Sequence, residues 1–270
     1  MITCGIDVGA RAVKALLWDD KETLSFAIED TGSNLAETAK RVFETSLRLS
    51  KIRLEDVGLI ISTGYGRCSL PFVKDTITEI TCQAIGSRHL FPAVRTIIDI
   101  GGQDSKVIGL DEGGRVRDFA MNDRCAAGTG RFLEVIAAAL EIDLEKMGRR
   151  AWSPTAAGRL PASGGAERIA EIKSTCVVFA ESEVISLLSQ GGDKKEIFAG
   201  VERAMASKIL PLAGKVGIKE PAVFTGGVAK GEGMVNSLSE VLGTRLLVPE
   251  EPQITCALGA AILAQKESRA

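Results

Sequence analysis

Histidine is nearly missing from this chain of 270 residues, in which His89 is the one histidine. A site that needs two histidine ligands from the chain, such as a His-rich zinc centre, is therefore excluded. Aromatic residues make up 4% of the sequence, and the formal net charge is −2. Because a near-neutral chain carries no excess of basic residues, we expect neither nucleic acid nor an anionic membrane as a partner.

Long apolar runs are missing too. No run reaches the roughly 18 residues that a membrane span requires, and the first residues lack the basic segment of a signal peptide. The six cysteines contain no Cys-x-x-Cys pair, and their spacing is not that of a small disulfide scaffold. We therefore expect a cytoplasmic protein with free thiols, in which four cysteines are core residues rather than ligands: Cys4, Cys68, Cys82 and Cys256.

Glycine, in contrast, is abundant, with 29 residues. Hydrophobic residues make up 45% of the chain, which suits a folded protein. Many glycines in such a chain indicate backbone that is held close to a ligand. The length fits about two domains.

Three pairs of similar segments occur in the same order along the chain. Ile6-Asp7-Val8-Gly9 returns as Ile98-Asp99-Ile100-Gly101, and at the same spacing Lys14 returns as Lys106. Ser62-Thr63-Gly64 is echoed by Phe224-Thr225-Gly226, and Ile80-Thr81-Cys82 by Ile254-Thr255-Cys256. The order strand-loop-strand, strand-Thr-Gly, small-residue helix therefore occurs twice, which predicts two related α/β halves.

Hydrophobic spacing predicts the main elements. Strands are expected at 3–7, 12–18, 57–62, 96–100, 106–110, 222–225 and near 245–248. Helices are expected at 34–50, about 128–141, 178–190 and 194–216. Residues 149–166 are rich in Pro and Gly and are predicted to form a long loop.

Two predicted hairpins carry Asp-x-Gly at the bend. The first bend contains Asp7 and Gly9, and the second contains Asp99, Gly101, Gly102, Gln103 and Asp104. Glycine lets backbone N–H groups approach a phosphate, and an aspartate at a strand end can hold Mg²⁺ through water. Two such bends that face each other can grip the β and γ phosphates of ATP. For either bend alone, an ordinary β-hairpin turn is the alternative.

Other residues extend this nucleotide hypothesis. Lys14 and Lys106 can neutralise phosphate charge, or they can simply be solvated at the ends of strands. Gln103 or Asp104 can orient the attacking water. The segment Thr225-Gly226-Gly227-Val228-Ala229 follows a predicted buried strand. Its glycines would let the backbone approach the ribose and α-phosphate of a nucleotide.

Together these segments resemble the actin, Hsp70 and sugar-kinase superfamily of ATPases. Residues 5–14 are similar to its first phosphate motif, 97–107 to its second and 223–229 to its adenosine motif. The resemblance implies an α/β fold of two duplicated domains with the nucleotide bound in the cleft between them. It divides the chain into a first half, 1–95 plus 252–270, and a second half, 96–251.

The resemblance also implies roles for single residues in binding ATP and Mg²⁺. It gives catalytic roles to four residues: Asp7, Asp99, Gln103 and Asp104. It places eleven residues at the nucleotide: Gly9, Ala10, Arg11, Lys14, Gly101, Gly102, Lys106, Gly226, Gly227, Val228 and Ala229. Ala10 departs from the superfamily, which usually has a small hydroxyl residue there, and Arg11 follows it.

Two further segments carry cysteines before predicted helices. Cys125 lies in Asn122-Asp123-Arg124-Cys125-Ala126-Ala127-Gly128-Thr129-Gly130, and Cys176 lies in Ser174-Thr175-Cys176-Val177-Val178-Phe179. Partial positive charge at a helix N-terminus stabilises a thiolate or an anionic iron–sulfur cluster. One chain offers two such ligands, whereas a [4Fe–4S] cluster usually takes four, so a two-fold dimer would complete the set. Two unremarkable cysteines near helix starts are the alternative.

Both cysteine segments, with Thr63-Gly64-Tyr65-Gly66-Arg67, resemble those of the ATP-dependent activators of 2-hydroxyacyl-CoA dehydratases. The resemblance implies a homodimer that holds one [4Fe–4S] cluster through Cys125 and Cys176. It also implies that ATP hydrolysis drives a low-potential electron to a CoA-ester dehydratase or reductase, with ferredoxin or flavodoxin as the electron donor. Two alternatives remain: an ATPase subunit of a benzoyl-CoA reductase-type complex, and a small-molecule kinase of the same fold, which would bind no iron.

Overall fold

A computed structural model describes residues 1–73, 75–144, 169–174 and 176–269. The predicted loop at 149–166 lies outside the described residues. Within the described residues, no helix is both long and apolar enough to cross a membrane.

The first sheet has five strands in the order β3-β2-β1-β4-β5. They are β1 (Ile2–Val8), β2 (Ala12–Trp18), β3 (Thr23–Asp30), β4 (Val57–Thr63) and β5 (Asp75–Thr76). The central strand β1 pairs antiparallel with β2 and parallel with β4. The second sheet has five strands in the order β10-β9-β6-β7-β8. Read from β8 to β10, it repeats the first sheet, with β6 in the central place of β1. Its strands are β6 (Thr96–Ile100), β7 (Ser105–Leu110), β8 (Val116–Asn122), β9 (Ala222–Thr225) and β10 (Leu246–Leu247).

The internal repeat of the sequence is a repeat of strand register. In the second sheet, the central strand β6 pairs antiparallel with β7 and parallel with β9. Each central strand carries one aspartate that lies opposite a lysine on one neighbour and a threonine on the other. Lys14 and Thr63 flank Asp7, and Lys106 and Thr225 flank Asp99.

The described residues contain eight α-helices. They are α1 (Leu35–Ser50), α2 (Glu79–Leu90), α3 (Gly130–Ala139), α4 (Val177–Ser189), α5 (Lys194–Ser207), α6 (Leu210–Val216), α7 (Glu232–Leu242) and α8 (Thr255–Glu267). The single helix expected at 194–216 is wrong, because α5 ends at Ser207 and α6 begins at Leu210. Pro211 lies in the first turn of α6, where its missing N–H leaves no intrahelical bond unmade.

Two layers of helix cover the first sheet. Alternate residues of β1 point to opposite faces, so Ile6 packs into the core that α1 completes through Val42 and Phe43. Gly5 faces α8 instead, and a Cβ at this position would lie 1.9 Å from the carbonyl oxygen of Ala257. The sheet is therefore buried on both sides, which explains the almost continuous burial of β1 and β2.

The two small-residue helices, α2 and α8, pack with their backbones in contact. A Cβ on Gly86 would lie 2.0 Å from the carbonyl oxygen of Thr255, and a Cβ on Gly259 would lie 1.8 Å from that of Cys82. Both distances are shorter than any real contact, so a larger residue at either position would force the helices apart.

The chain divides into two compact units. The first comprises Met1–Arg95, Leu110–Arg117 and Pro249–Ala270, and the second comprises Thr96–Gly109 and Asp118–Val248. The core of the second unit lies where β6 and β9 meet α3 and α5, and Ile98, Phe132, Met205 and Phe224 are among its buried side chains.

Candidate nucleotide site and cysteine segments

The bend between β1 and β2 is built around an ion pair. Lys14 Nζ donates a hydrogen bond to Asp7 Oδ2 at 2.9 Å, and the two side chains are 14% and 10% exposed. The N–H of Gly9 donates to the carbonyl oxygen of Ala12 at 3.1 Å and closes the turn. Ala10 and Arg11 lie exposed at its tip. The alternative of a solvated lysine is therefore wrong for Lys14, because its charge is directed onto the aspartate.

The bend between β6 and β7 repeats this construction with a second carboxylate. Lys106 Nζ lies 2.7 Å from Asp104 Oδ1 and 3.6 Å from Asp99 Oδ2, and the Lys106 side chain is 4% exposed. The N–H of Gly101 donates to the carbonyl oxygen of Asp104 at 3.0 Å. Gln103 is exposed at the tip, and Asp104 is held by the lysine. Lys106 is thus buried between two acids and is not a solvated strand-end residue.

The segment after β9 joins the second bend directly. Thr225 Oγ1 donates to Asp99 Oδ1 at 2.9 Å. Gly226 has a φ of 87°, and a Cβ there would lie 2.3 Å from the carbonyl oxygen of Ile100. A short 3₁₀ helix, Gly227–Lys230, follows, in which Val228 and Ala229 are buried. The structure therefore brings the predicted adenosine segment and the predicted second phosphate bend together within the second unit.

The first unit contains a matching contact to which sequence reasoning gave no role. Gly64 has a φ of 88°, and a Cβ there would lie 2.4 Å from Asp7 Oδ1. The N–H of Gly66 donates to the carbonyl oxygen of Val8 at 2.9 Å, and the guanidinium of Arg67 donates to that of Gly64 at 3.2 Å. The echo of Thr63-Gly64 in Thr225-Gly226 was the signal that could have identified Gly64 as part of the bend.

Glu202 was also missed, and no sequence pattern marks it. Its carboxylate packs against the first turn of α7, where a Cβ on Gly233 would lie 2.2 Å from Glu202 Oε2. Burial raises the pKa of Glu202 to about 7. This acid therefore changes protonation near neutral pH, against a helix that begins just after the Gly227–Lys230 turn.

The Cys125 segment is attached to the second bend through α3. Cys125 is exposed and is the N-cap of a 3₁₀ helix, Ala126–Gly128, so it lies beside a helix start as the sequence predicted, although that helix is a short 3₁₀ helix before α3. The first amides of α3 are used elsewhere. The N–H of Gly130 donates to the carbonyl oxygen of Gly101 at 2.8 Å, and that of Arg131 to Gly102 at 3.1 Å. The segment is therefore bonded to the backbone of the predicted phosphate bend.

Asn122 holds the backbone of Cys125. Asn122 Nδ2 donates to the carbonyl oxygen of Cys125 at 2.8 Å, and the N–H of Cys125 donates to Asn122 Oδ1 at 3.1 Å. Gly128 packs against the side-chain amide of Asn122, since a Cβ at position 128 would lie 3.1 Å from Asn122 Nδ2.

Cys176 is exposed and lies at the N-cap of α4, as the sequence predicted. The chain before it is held by Glu183, whose two carboxylate oxygens accept hydrogen bonds from the N–H groups of Lys173 at 3.0 Å and Ser174 at 2.8 Å. Partial burial opposes ionisation of Glu183, but the hydrogen bonds from Ser174 and Lys173 outweigh it, so the pKa of Glu183 is lowered.

The remaining cysteines differ in burial. Cys4, Cys82 and Cys256 are buried, as expected. Burial raises the pKa of Cys4, and it raises the pKa of Cys82 to about 12, so neither thiol ionises readily. The prediction for Cys68 is wrong, because this thiol is exposed in a surface 3₁₀ turn, Arg67–Ser69. Among the described residues, no group of three or more His, Cys, Asp or Glu side chains could hold a metal ion.

Comparison with known proteins places the whole chain in one family. Residues 4–264 match the BadF/BadG/BcrA/BcrD ATPase family. The activator of lactoyl-CoA dehydratase of Anaerotignum propionicum is 42% identical over 270 residues, which cover 100% of this chain and 99% of that protein. The (R)-2-hydroxyglutaryl-CoA dehydratase activating ATPase of Acidaminococcus fermentans is 42% identical over 271 residues, which cover 98% of each chain.

Solved structures of dehydratase activators match this chain over its full length. The Acidaminococcus fermentans (R)-2-hydroxyglutaryl-CoA dehydratase component A superposes with a TM-score of 0.89 at 39% identity, over 100% of both chains. The activator of the 2-hydroxyisocaproyl-CoA dehydratase from Clostridium difficile, with bound ADPNP, superposes with a TM-score of 0.88 at 36% identity, over 100% of this chain and 96% of that one.

More distant matches bear on the alternatives. A benzoyl-CoA reductase subunit of Thauera aromatica is 29% identical over 273 residues, covering 97% of this chain and 92% of that protein. A ROK family glucokinase from Streptomyces griseus shares the fold alone, with a TM-score of 0.57 at 14% identity over 98% of this chain and all of that one. The chain thus has the actin/Hsp70/sugar-kinase fold predicted from its sequence, and it belongs to the BadF/BadG/BcrA/BcrD ATPase family.

Proposed function

We propose that this protein is an ATP-hydrolysing iron–sulfur activator that delivers a low-potential electron to a CoA-ester dehydratase. The observation that carries the proposal is the pair of hydrogen bonds from the first amides of α3 to Gly101 and Gly102. A kinase has no need to couple its phosphate bend to an exposed cysteine, whereas an ATP-driven electron carrier does. The relatives named as dehydratase activators match 98–100% of the chain at 42% identity, and they favour this function over that of a benzoyl-CoA reductase subunit.

We assign ATP and Mg²⁺ to the two bends and the Gly226 segment. Asp7 and Asp99 are proposed to hold Mg²⁺ through water, each with its charge partly balanced by a neighbouring lysine. The backbone N–H of Gly102 is proposed to bind a phosphate oxygen. The N–H groups of Gly9 and Gly101 close the two turns, and these glycines are proposed to let the phosphate approach the backbone. Arg11 adds a cation at the exposed tip of the first bend, where Ala10 offers no hydroxyl. Gln103, which is exposed, and Asp104 remain the candidates for orienting the attacking water.

The residues that would hold a [4Fe–4S] cluster fit that role. Cys125 and Cys176 are exposed at the starts of helical segments and belong to the same unit. Three of the other cysteines are buried in the first unit. Two accessible thiols supply half of the four ligands that a cluster usually takes, so we propose a homodimer with one cluster on its two-fold axis. When bound, the cluster would supply a single low-potential electron, with ferredoxin or flavodoxin as the donor.

The coupling follows from backbone geometry. A bend that closes around a phosphate moves its own carbonyl groups, and those of Gly101 and Gly102 are bonded to α3. The segment that carries Cys125 lies between β8 and α3 and is displaced with them. ATP and ADP must favour different positions of the bend, since a ligand that binds both states equally shifts neither.

Iron analysis after anaerobic purification tests the proposal. We expect about two irons and two sulfides per chain, with an EPR signal of a reduced [4Fe–4S] cluster. Cys125→Ser and Cys176→Ser should each abolish iron binding and weaken the dimer while ATP binding persists. Cys68→Ser is the matched control, because its thiol is also exposed, and it should retain full iron. A wild-type protein without iron after anaerobic reconstitution would overturn the proposal.

A further inference from the structure

The two cysteine segments share a feature that the nucleotide site does not explain. In each, one polar side chain binds backbone groups beside the cysteine through two hydrogen bonds. Asn122 binds both the N–H and the carbonyl oxygen of Cys125. Glu183 binds the N–H groups of Lys173 and Ser174, close before Cys176.

The four hydrogen bonds fix parts of the chain that lack regular secondary structure. Lys173 and Ser174 precede α4, and Cys125 lies between β8 and a 3₁₀ turn. Without the two side chains, local opening of these backbones would cost little free energy, because they lack the regular hydrogen bonds of a helix or strand. The side chains that hold them lie on regular elements, since Asn122 ends β8 and Glu183 lies in α4. Each cysteine segment is therefore tied to a rigid element.

We propose that Asn122 and Glu183 are positioning residues for the two thiols, which they hold in the conformation that receives the iron–sulfur cluster. The inference rests on the proposed function, since it assumes that Cys125 and Cys176 are the ligands. Residues that orient metal ligands in this way typically change metal affinity by about 10- to 100-fold when removed.

Glu183 has a second consequence for electron transfer. Hydrogen bonds to cluster sulfurs and reduced negative charge raise the potential of an iron–sulfur cluster. Glu183 occupies the amides of Lys173 and Ser174, which are thereby withheld from sulfur, and it adds a negative charge to α4. Both effects favour a more negative potential, which suits a donor of low-potential electrons.

Glu183→Gln tests the inference, with Glu181→Gln as the matched control on the same helix. Glutamine keeps the shape but loses the charge and leaves two N–H donors to share one carbonyl oxygen. In the metal-free protein, hydrogen exchange at the amides of Lys173 and Ser174 should rise by about tenfold. In the reconstituted protein, iron release to a chelator should be about tenfold faster and the midpoint potential more positive. The Glu181 side chain forms no hydrogen bond or ion pair with the residues that the structure describes, so Glu181→Gln should match the wild type in hydrogen exchange and iron release. Because this variant removes a charge from the same helix, it also measures how much of the shift in midpoint potential comes from charge alone.

Asn122 is tested by a graded pair. Asn122→Ala removes both hydrogen bonds, and Asn122→Asp keeps the acceptor for the N–H of Cys125 but loses the donor. Amide exchange at Cys125 and the rate of iron release should both increase, more for alanine than for aspartate. Asp123→Asn, at the neighbouring exposed carboxylate, should change neither.

The outcomes separate the inference from the proposed function. Iron in the wild type, with Glu183→Gln indistinguishable from Glu181→Gln and Asn122→Ala indistinguishable from the wild type, would overturn the inference alone. No iron in the wild type would overturn the proposed function and this inference together.

Discussion

The N–H of Gly130 donates a hydrogen bond to the carbonyl oxygen of Gly101, with 2.8 Å between the two atoms. This contact joins the start of α3 to the bend that carries Asp99. Gly130 is also tightly enclosed, since a Cβ at this position would lie 3.2 Å from Gly101 O and 3.2 Å from Val228 Cγ2. The same glycine therefore contacts two of the three segments assigned to the nucleotide, the second bend and the Gly226 segment, and it begins the helix that follows Cys125.

Gly130→Ala should weaken the coupling between ATP and the cysteine segment. The added methyl group must push the second bend away, at a cost of about 1–3 kcal/mol in stability. We expect iron binding to persist, while the effect of ATP on the rate of iron chelation is reduced. Gly214→Ala is the control, because this position lies in α6 with nothing within 4 Å of a new Cβ. Full ATP dependence in Gly130→Ala would contradict the coupling route.

Gly64→Ala should impair ATP hydrolysis through Asp7. A new Cβ would lie 2.4 Å from Asp7 Oδ1 and 2.7 Å from the carbonyl oxygen of Val8, at a φ of 88°. The carboxylate must move, so the rate of ATP hydrolysis should fall by at least about tenfold. The backbone conformation alone costs about 1–3 kcal/mol in stability.

Gly217→Ala separates these two effects of the Gly64 substitution. Gly217 also has a positive φ, 76°, but nothing lies within 4 Å of a Cβ placed there. Its alanine variant should lose stability in urea unfolding and keep full ATPase activity. If Gly64→Ala retained full ATPase activity as well, the close contact between Gly64 and Asp7 would not be needed to position Asp7 for hydrolysis.

Asp7→Asn should slow hydrolysis and leave the cluster in place. The change removes a charge proposed to act on Mg²⁺ and weakens the 2.9 Å contact with Lys14. Losing one such electrostatic contact typically costs about 10²-fold in rate. Asp19→Asn, just beyond the other end of β2, is the control of equal charge. The readouts are phosphate release and iron per chain, and unchanged hydrolysis would remove the first bend from the catalytic site.

Much of this arrangement could be predicted because its determinants are local in sequence. The hairpin of Asp7 and Lys14 is formed by residues a few positions apart, and strands 12–18 and 96–100 have the predicted bounds. The repeat aligned Lys106 with Lys14, and in the structure Lys106 Nζ lies 3.6 Å from Asp99 Oδ2. The actin-like fold followed from these segments and is confirmed by the solved structures.

Contacts between distant segments carried no such signal. The hydrogen bonds from Gly130 and Arg131 to the second bend join backbone atoms, so no residue type in the sequence predicts them. Strand β8 was missed because most of its side chains are exposed, which removes the hydrophobic alternation of a buried strand. The sequence alone could not decide whether Lys14 and Lys106 are solvated, because it shows the charged residue but not the carboxylate with which it forms an ion pair.

The protonation of Glu202 should make stability depend on pH. Its pKa is about 7 in the folded protein against a reference value of 4.5. Between these values the folded state holds a proton that the unfolded state has released, so stability falls as pH rises from about 4.5 to 7. This group alone accounts for a loss of up to about 3 kcal/mol. Glu202→Gln should remove that decline and stabilise the protein above pH 7, as measured by urea unfolding across the pH range, whereas Glu181→Gln should retain it. If the free energy of unfolding depended on pH in the same way in Glu202→Gln and the wild type, the pKa of Glu202 would not be raised in the folded protein.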